Sequence, residues 1–104
     1  MDRKRSIELL NEAVADELKA VHQYMYFHFH LDDQGFGPLA ALLKRVAIDE
    51  MNHIEMLAER ILFLGGDVKL VPNGEVEKIT GPEEMLAWAA KGEEAAIEMY
   101  NKAA

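Results

Sequence analysis

Ionisable side chains interrupt the apolar stripe of each long helix that the sequence predicts. Glu17 stands in the middle of the first stripe, and Glu93 stands in the middle of the third. On the second, Glu50 and His53 are successive inward positions one helical turn apart. Burying an unpaired carboxylate costs several kcal/mol. Acidic groups that recur at the middle of three apolar stripes therefore predict one shared partner, and a bound cation would satisfy all of them.

We call these inward stripes seams. The first seam is Ile7, Leu10, Val14, Glu17, Val21, Tyr24, His28 and Leu31. The second is Leu39, Leu43, Val46, Glu50, His53, Leu57 and Leu64, and the third is Leu86, Ala89, Glu93, Ala96 and Tyr100.

Glycine and proline predict where the three helices begin and end. The expected helices run over about 3–33, 38–64 and 81–104, and residues 65–80 form a long crossover. Gly35 is the expected residue after the first helix, and Thr80 with Glu83 fits a capping box at the start of the third. The predicted fold is all-α, with an up-down helix pair, a long crossover and the start of a third helix.

Composition limits the class of protein. The 104 residues suit a single domain over 1–104, and the chain has no cysteine for thiolate sites or disulfides. The N-terminus lacks the apolar block of a signal peptide, and no apolar run approaches the roughly 18 residues of a membrane span. A net charge of −8 argues against a phosphate-backbone partner. We therefore expect a cytoplasmic protein with no membrane or nucleic-acid partner.

The Glu-x-x-His motif formed by Glu50 and His53 carries the densest chemistry. On a helix the two side chains project from one face, about 5 to 6 Å apart, close enough to ligate one ion. By itself the motif also fits a surface glutamate and a solvated histidine. The flanking Val46 and Leu57 place it on the inward face, where Glu17 offers another carboxylate. Mixed carboxylate and imidazole donors suit iron or manganese.

Two segments resemble the ligand segments of a known family, the bacterioferritins. Residues 15–24 are similar to that family's first ligand segment, and residues 48–53 followed by 59–64 strongly resemble its second. The register continues through the crossover to residues 83–86, so the resemblance covers essentially the whole chain. It implies a ferritin-like helical bundle.

The resemblance also implies a function and its residues. Glu17, Glu50, His53 and Glu93 would be ligands of a ferroxidase centre, with Glu50 bridging two irons and Tyr24 next to the site. The implied activity is oxidation of Fe(II) by O2 or peroxide, for iron storage and detoxification.

A second apolar stripe predicts a second buried interface beside the bundle core. Its members are Leu18, His22, Met25 and Phe29 on the first helix and Ile48, Met51, Ile54, Ala58 and Leu62 on the second. A helix that is apolar on two faces buries both. The resemblance implies a two-fold homo-oligomer at this stripe, with Met51 as the haem-ligating methionine.

One element of the family pattern is missing. A bacterioferritin has a fourth helix with a second Glu-x-x-His, and the 104 residues contain neither. Either the chain is a shortened form, or two copies each supply Glu17, Glu50 and His53, as in encapsulated ferritins. An open seam would expose four apolar side chains and favour self-association. These are Leu10, Val14, Val46 and Leu57.

Two other functional classes stay open at this stage. One is a different di-metal carboxylate enzyme, such as a manganese catalase. The other is a catalytically silent helical module whose glutamates pair with Lys or Arg across an interface.

Overall fold

The chain folds into helices joined by a turn and one long crossover. A computed structural model describes residues 2–103, with side chains described for residues 2–92. These residues form helices α1 (Arg3–Asp33), α2 (Gly37–Phe63) and α3 (Pro82–Ala103), with no strand among them. The all-α prediction is confirmed. Within this part of the chain, no helix is long and apolar enough to cross a membrane.

The ends of α1 and the end of α2 follow from local chemistry. Asp2 is the N-cap of α1, because its Oδ1 accepts a hydrogen bond from the Arg5 backbone N–H at 2.7 Å. Gly35 follows α1 with φ of 87°, and Gly65 follows α2 with φ of 85°. Only glycine adopts this left-handed conformation without steric cost, so both helices end where glycine allows the chain to turn.

Helix α3 begins one residue later than the capping box predicts. The Gly81 carbonyl accepts the first helical hydrogen bond, from the Met85 N–H at 3.0 Å, which makes Gly81 the N-cap. The predicted N-cap, Thr80, is wrong. Its carbonyl instead accepts a hydrogen bond from Gln34 Nε2 at 2.8 Å, so Thr80 fixes the end of the crossover to the end of α1.

Helices α1 and α2 pack antiparallel and supply most of the core. His28 Nδ1 lies 2.7 Å from the Ala40 carbonyl oxygen near one end of the pair. Near the other end, Ile7 lies beside Gly66. Two apolar clusters fill the interface. The first is Tyr24, Phe27, Leu31, Ala40, Leu43, Ala47 and Met85, and the second is Val14, Val21, Ile54 and Ile61.

The expected exposure of the open seam is only partly right. Val14 is fully buried, and Leu10, Val46 and Leu57 are half-buried rather than exposed. Leu10 and Leu57 pack against the second cluster, and Val46 packs against the first. Two helices with their crossover therefore cover most of this apolar surface within one chain.

The face that α3 presents to the core is only partly the one predicted. Met85 is fully buried, whereas Leu86, assigned to the third seam, is 48% exposed. Trp88 packs edge-on against Tyr24 and Phe27. Ala89 of the third seam also packs against the first cluster, so the face of α3 that meets the core is shifted toward Met85 and Trp88 but keeps part of the predicted seam.

The crossover lies along α1 as a segment without helix or strand, residues 67–80, which we call the strap. Asn11 Nδ2 donates to the Asp67 carbonyl oxygen at 3.1 Å, and Asn11 Oδ1 accepts from the Lys69 N–H at 2.8 Å. Further along α1, Gln23 makes the same kind of paired contact with Glu77. The strap therefore runs in the same direction as α1 and buries a second face of that helix.

Candidate metal centre

Three of the predicted site residues come together between α1 and α2. Glu17 projects from the middle of α1, while Glu50 and His53 project from one face of α2. One ligand atom from each residue lies within 4.8 Å of the other two. Because α1 and α2 are antiparallel and packed along their seams, the middle of each helix meets the middle of the other.

Burial decreases across this group. Glu17 is buried with 8% of its surface exposed, Glu50 is half-buried, and the His53 side chain is 53% exposed. His53 Nδ1 lies 3.6 Å from Glu50 Oε2 and 3.8 Å from Glu17 Oε2. His53 was predicted to face inward, and it lies at the rim because one side of α2 is open to solvent at this level.

The donor set fits a divalent transition-metal ion. Carboxylate oxygen and imidazole nitrogen bind such ions at about 2.0 to 2.2 Å, so two donors of one ion lie at most about 4.4 Å apart. The 4.8 Å span of Glu17, Glu50 and His53 is close to that limit. Two acidic groups near each other and away from water repel when both are ionised, and a cation between them offsets that repulsion.

Tyr24 forms an aromatic wall two turns along α1 from Glu17. They are seven positions apart, which is about 10.5 Å along the helix axis. The Tyr24 ring is buried and packs edge-on against Trp88, with ring centroids 5.7 Å apart, and against Phe27 at 6.4 Å. Trp88 was not among the predicted site residues, and its contact with Tyr24 joins α3 to the same face of α1 that carries Glu17.

The other two predicted site residues lie apart from this group or beyond what is described. Glu93 belongs to α3, but its side chain lies outside the described residues. Met51 lies on the outer face of α2 with 53% of its surface exposed, and Ile48 and Leu62 of the same stripe are exposed as well. Ile54, assigned to that stripe, is buried in the core between α1 and α2.

Comparison with known proteins identifies the family. A family model described as the ferritin-like domain matches residues 7–104. The chain belongs to the ferritin family. This chain is 47% identical over 104 residues to a bacterioferritin from Desulfovibrio desulfuricans. The aligned region covers 97% of this chain and 57% of the relative. A bacterioferritin from Rhodobacter capsulatus is 37% identical over 98 residues, which is 93% of this chain and 60% of the relative.

Solved structures confirm the predicted ferritin-like bundle. The ferritin chain matches a bacterioferritin structure from Desulfovibrio desulfuricans with a TM-score of 0.92 and 44% identity, over 96% of this chain and 58% of that one. That structure is described as showing the diiron site in different catalytic states. A Rhodobacter capsulatus bacterioferritin structure is described with a metal-free dinuclear site and a heme iron. It matches with a TM-score of 0.90 and 33% identity, over 99% of this chain and 64% of that one. The ferritin chain thus spans less than two thirds of the length of these relatives.

Proposed function

We propose that the chain binds iron through Glu17, Glu50 and His53 and contributes to a centre that oxidises Fe(II) for iron storage. The observation that carries the proposal is the convergence of two carboxylates and an imidazole to within 4.8 Å on adjacent helices of a ferritin-family fold. The related structure from Desulfovibrio desulfuricans, described with a diiron site, supports the same chemistry.

The roles of the residues follow from their charge and burial. Two Fe(II) ions supply two electrons, which with two protons reduce O2 to H2O2, or H2O2 to two water molecules. The carboxylates of Glu17 and Glu50 favour the more highly charged oxidation state, because anionic ligands stabilise Fe(III) more than Fe(II). The exposed side of His53 gives ions from solvent a way to reach the buried Glu17.

Glu93 is the proposed further carboxylate, and the path of α3 supports its placement. Thr80 contacts the end of α1 at Gln34, and Trp88 contacts Tyr24, so α3 runs antiparallel to α1. Position 93 is five residues, about 7.5 Å, beyond Trp88 along α3. Glu17 lies about 10.5 Å from Tyr24 in the same direction along α1. Positions 17 and 93 therefore lie at similar heights along the helix axes.

The remaining ligands of a two-metal centre can come from two sources, both predicted from the sequence. One source is a further helix of a longer protein, and the other is Glu17, Glu50 and His53 of a second copy. Intact mass and sedimentation of the metal-free and iron-loaded protein distinguish them. A dimer that forms only with iron, at a mass of 11.7 kDa per chain, supports the two-copy site.

The central test is Fe(II) oxidation and metal content of Glu50→Ala beside Glu55→Ala. Glu50 is in the cluster, whereas Glu55 is an exposed carboxylate on the same helix. We expect Glu50→Ala to lose at least about 100-fold in oxidation rate and Glu55→Ala to match the wild type. Wild-type activity in Glu50→Ala contradicts the proposal.

Metal analysis of the wild type separates the alternative classes. Iron bound after aerobic loading supports the proposal, and preferential retention of manganese favours a different di-metal enzyme. Near-zero transition metal after loading leaves only the silent helical module. The predicted cytoplasmic location is independent of these outcomes.

A haem bound through Met51 at a two-fold contact is a second proposal. The observation that favours it is the exposure of Met51, Ile48 and Leu62 together on the outer face of α2, with Phe29 of α1 also exposed. The Rhodobacter capsulatus structure, described with a heme iron, supports it.

A further inference from the structure

We infer that Gln23 is a positioning residue for the metal centre: by holding the strap at Glu77, it sets where α3 begins against Tyr24. This inference rests on the proposed function, since α3 carries the proposed ligand Glu93. Gln23 itself contacts neither Glu17, Glu50 nor His53 in any described interaction.

The contact between Gln23 and the strap uses both the oxygen and the nitrogen of a buried side-chain amide. Gln23 is fully buried, its Nε2 donates to the Glu77 carbonyl oxygen at 2.9 Å, and its Oε1 accepts from the Glu77 N–H at 2.7 Å. A side-chain amide presents one acceptor and one donor in the arrangement of a peptide group, so it pairs with one residue of an extended segment as a neighbouring strand would. Both backbone groups of Glu77 are therefore held by one side chain.

From this contact the chain reaches α3 with little freedom. Pro82 begins α3 five residues after Glu77. Between them, Ile79 packs against the first core cluster and the Thr80 carbonyl accepts the hydrogen bond from Gln34. Met85 is then fully buried in that cluster, and Trp88 meets Tyr24. Loss of the Gln23 contact should shift the start of α3 and the packing of Trp88 on Tyr24.

Asn11 is a matched control in the same helix. It holds Asp67 and Lys69 by the same donor and acceptor pair, and it is also buried. Lys69, however, lies 13 residues before Pro82, whereas Glu77 lies only five residues before it. An Asn11 variant should therefore loosen the beginning of the strap without moving α3.

The experiment compares Gln23→Met with Asn11→Leu, since each change keeps the side-chain size and removes both hydrogen bonds. Co(II) titration reports the metal centre, and fluorescence reports α3, because Trp88 is the only tryptophan. We expect Gln23→Met to weaken Co(II) binding at least about tenfold, the effect typical of residues that orient metal ligands. Its Trp88 emission should shift to the red. Asn11→Leu should keep wild-type Co(II) affinity and emission, although its melting temperature falls.

Equal Co(II) affinities and emission in the two variants overturn the inference. Should Gln23→Met not fold, Gln34→Ala takes its place, because Gln34 is exposed and its Nε2 holds Thr80 at the start of α3. A smaller change of Co(II) affinity and Trp88 emission in the same direction supports the inference. The absence of any change overturns it. Should the wild type bind no Co(II), the proposed function fails, and the Trp88 emission of the two variants still decides whether Gln23 positions α3.

Discussion

Helix α1 buries polar side chains on two faces, and the partners that they meet differ. On the face under the strap, Asn11 and Gln23 each donate one hydrogen bond and accept another, all between 2.7 and 3.1 Å. On the face toward α2, Glu17 meets a second carboxylate and an imidazole, with the His53 ring nitrogen 3.8 Å away. The first face pairs neutral groups, and the second gathers ionisable ones.

This difference follows from what each side chain can do. An amide donates and accepts, so a segment of backbone can complete its hydrogen bonding, and the result is structural. An ionised carboxylate only accepts, and a second carboxylate beside it adds repulsion that a cation between the two would offset. Buried amides matched to backbone therefore indicate a fixed contact, whereas buried carboxylates brought together indicate a binding site.

The largest expected effect comes from placing a charge on the strap face. Gln23→Glu removes the donor to the Glu77 carbonyl and buries a carboxylate against it, which should lower the free energy of unfolding by about 3 kcal/mol in urea titrations. The loss should shrink toward about pH 4, because a protonated carboxyl regains a donor. Gln23→Met should show no such recovery, and a pH-independent loss in Gln23→Glu would contradict the account.

Removing the carboxylate from the face of α1 toward α2 should change metal binding instead of stability. Glu17→Gln keeps the shape of the side chain, and we expect Co(II) affinity to fall about 10- to 100-fold, or about 1.4 to 2.7 kcal/mol. The free energy of unfolding of the metal-free protein should not fall, because repulsion from Glu50 is relieved. Unchanged Co(II) affinity would show that the two faces do not differ in this way.

A smaller effect should appear where the chain leaves α2 and approaches the strap. A Cβ on Gly66 would lie 2.7 Å from Ile7 Cγ2, so Gly66→Ala should lower the free energy of unfolding by about 1 to 2 kcal/mol. Gly37→Ala is the control, because a Cβ there meets nothing within 4 Å. Thermal melting of both variants checks the difference, and equal melting temperatures would mean that Ile7 moves aside freely.

The smallest expected effect is on the outer face of α2, which belongs to neither side of the comparison. Met51→Leu should change the unfolding free energy by less than about 0.5 kcal/mol and leave Co(II) affinity unaltered, since Met51 is exposed. Absorbance from bound haem, where the wild type shows any, should disappear, because leucine has no thioether. Unchanged haem content would exclude Met51 as the ligand.

The face of α1 toward α2 could be anticipated because helical periodicity determines it. Residues at three- and four-residue spacing share one side of a helix, so Glu17 and Glu50 were expected to face the α1–α2 interface once both helices formed, and His53 lies beside them at its rim. The structure brings these three together. Their role as ligands stays a prediction, and so does the role of Glu93.

The strap face could not be anticipated in the same way. Asn11 and Gln23 pair with backbone atoms of the strap, and backbone partners leave no residue pattern in the sequence. The only available signal was the four-residue spacing of Asn11, Ala15, Lys19 and Gln23, which marks a third face of α1. The shift of the α3 core face toward Met85 and Trp88 was also hidden, because alanines around Trp88 give that helix a weak apolar period.

The two amide contacts also limit how the length of the strap can vary. Asn11 and Gln23 are 12 residues apart, about 18 Å along α1, and the strap covers that distance with the eight steps from Lys69 to Glu77. Five steps would reach only about 17 to 18 Å when fully extended. A deletion of three residues between the contacts would therefore break one of them, whereas an insertion at the Asn73–Gly74 turn could bulge outward. The strap thus acts as a spacer of nearly fixed minimum length, and deletions within it should be tolerated far less than insertions.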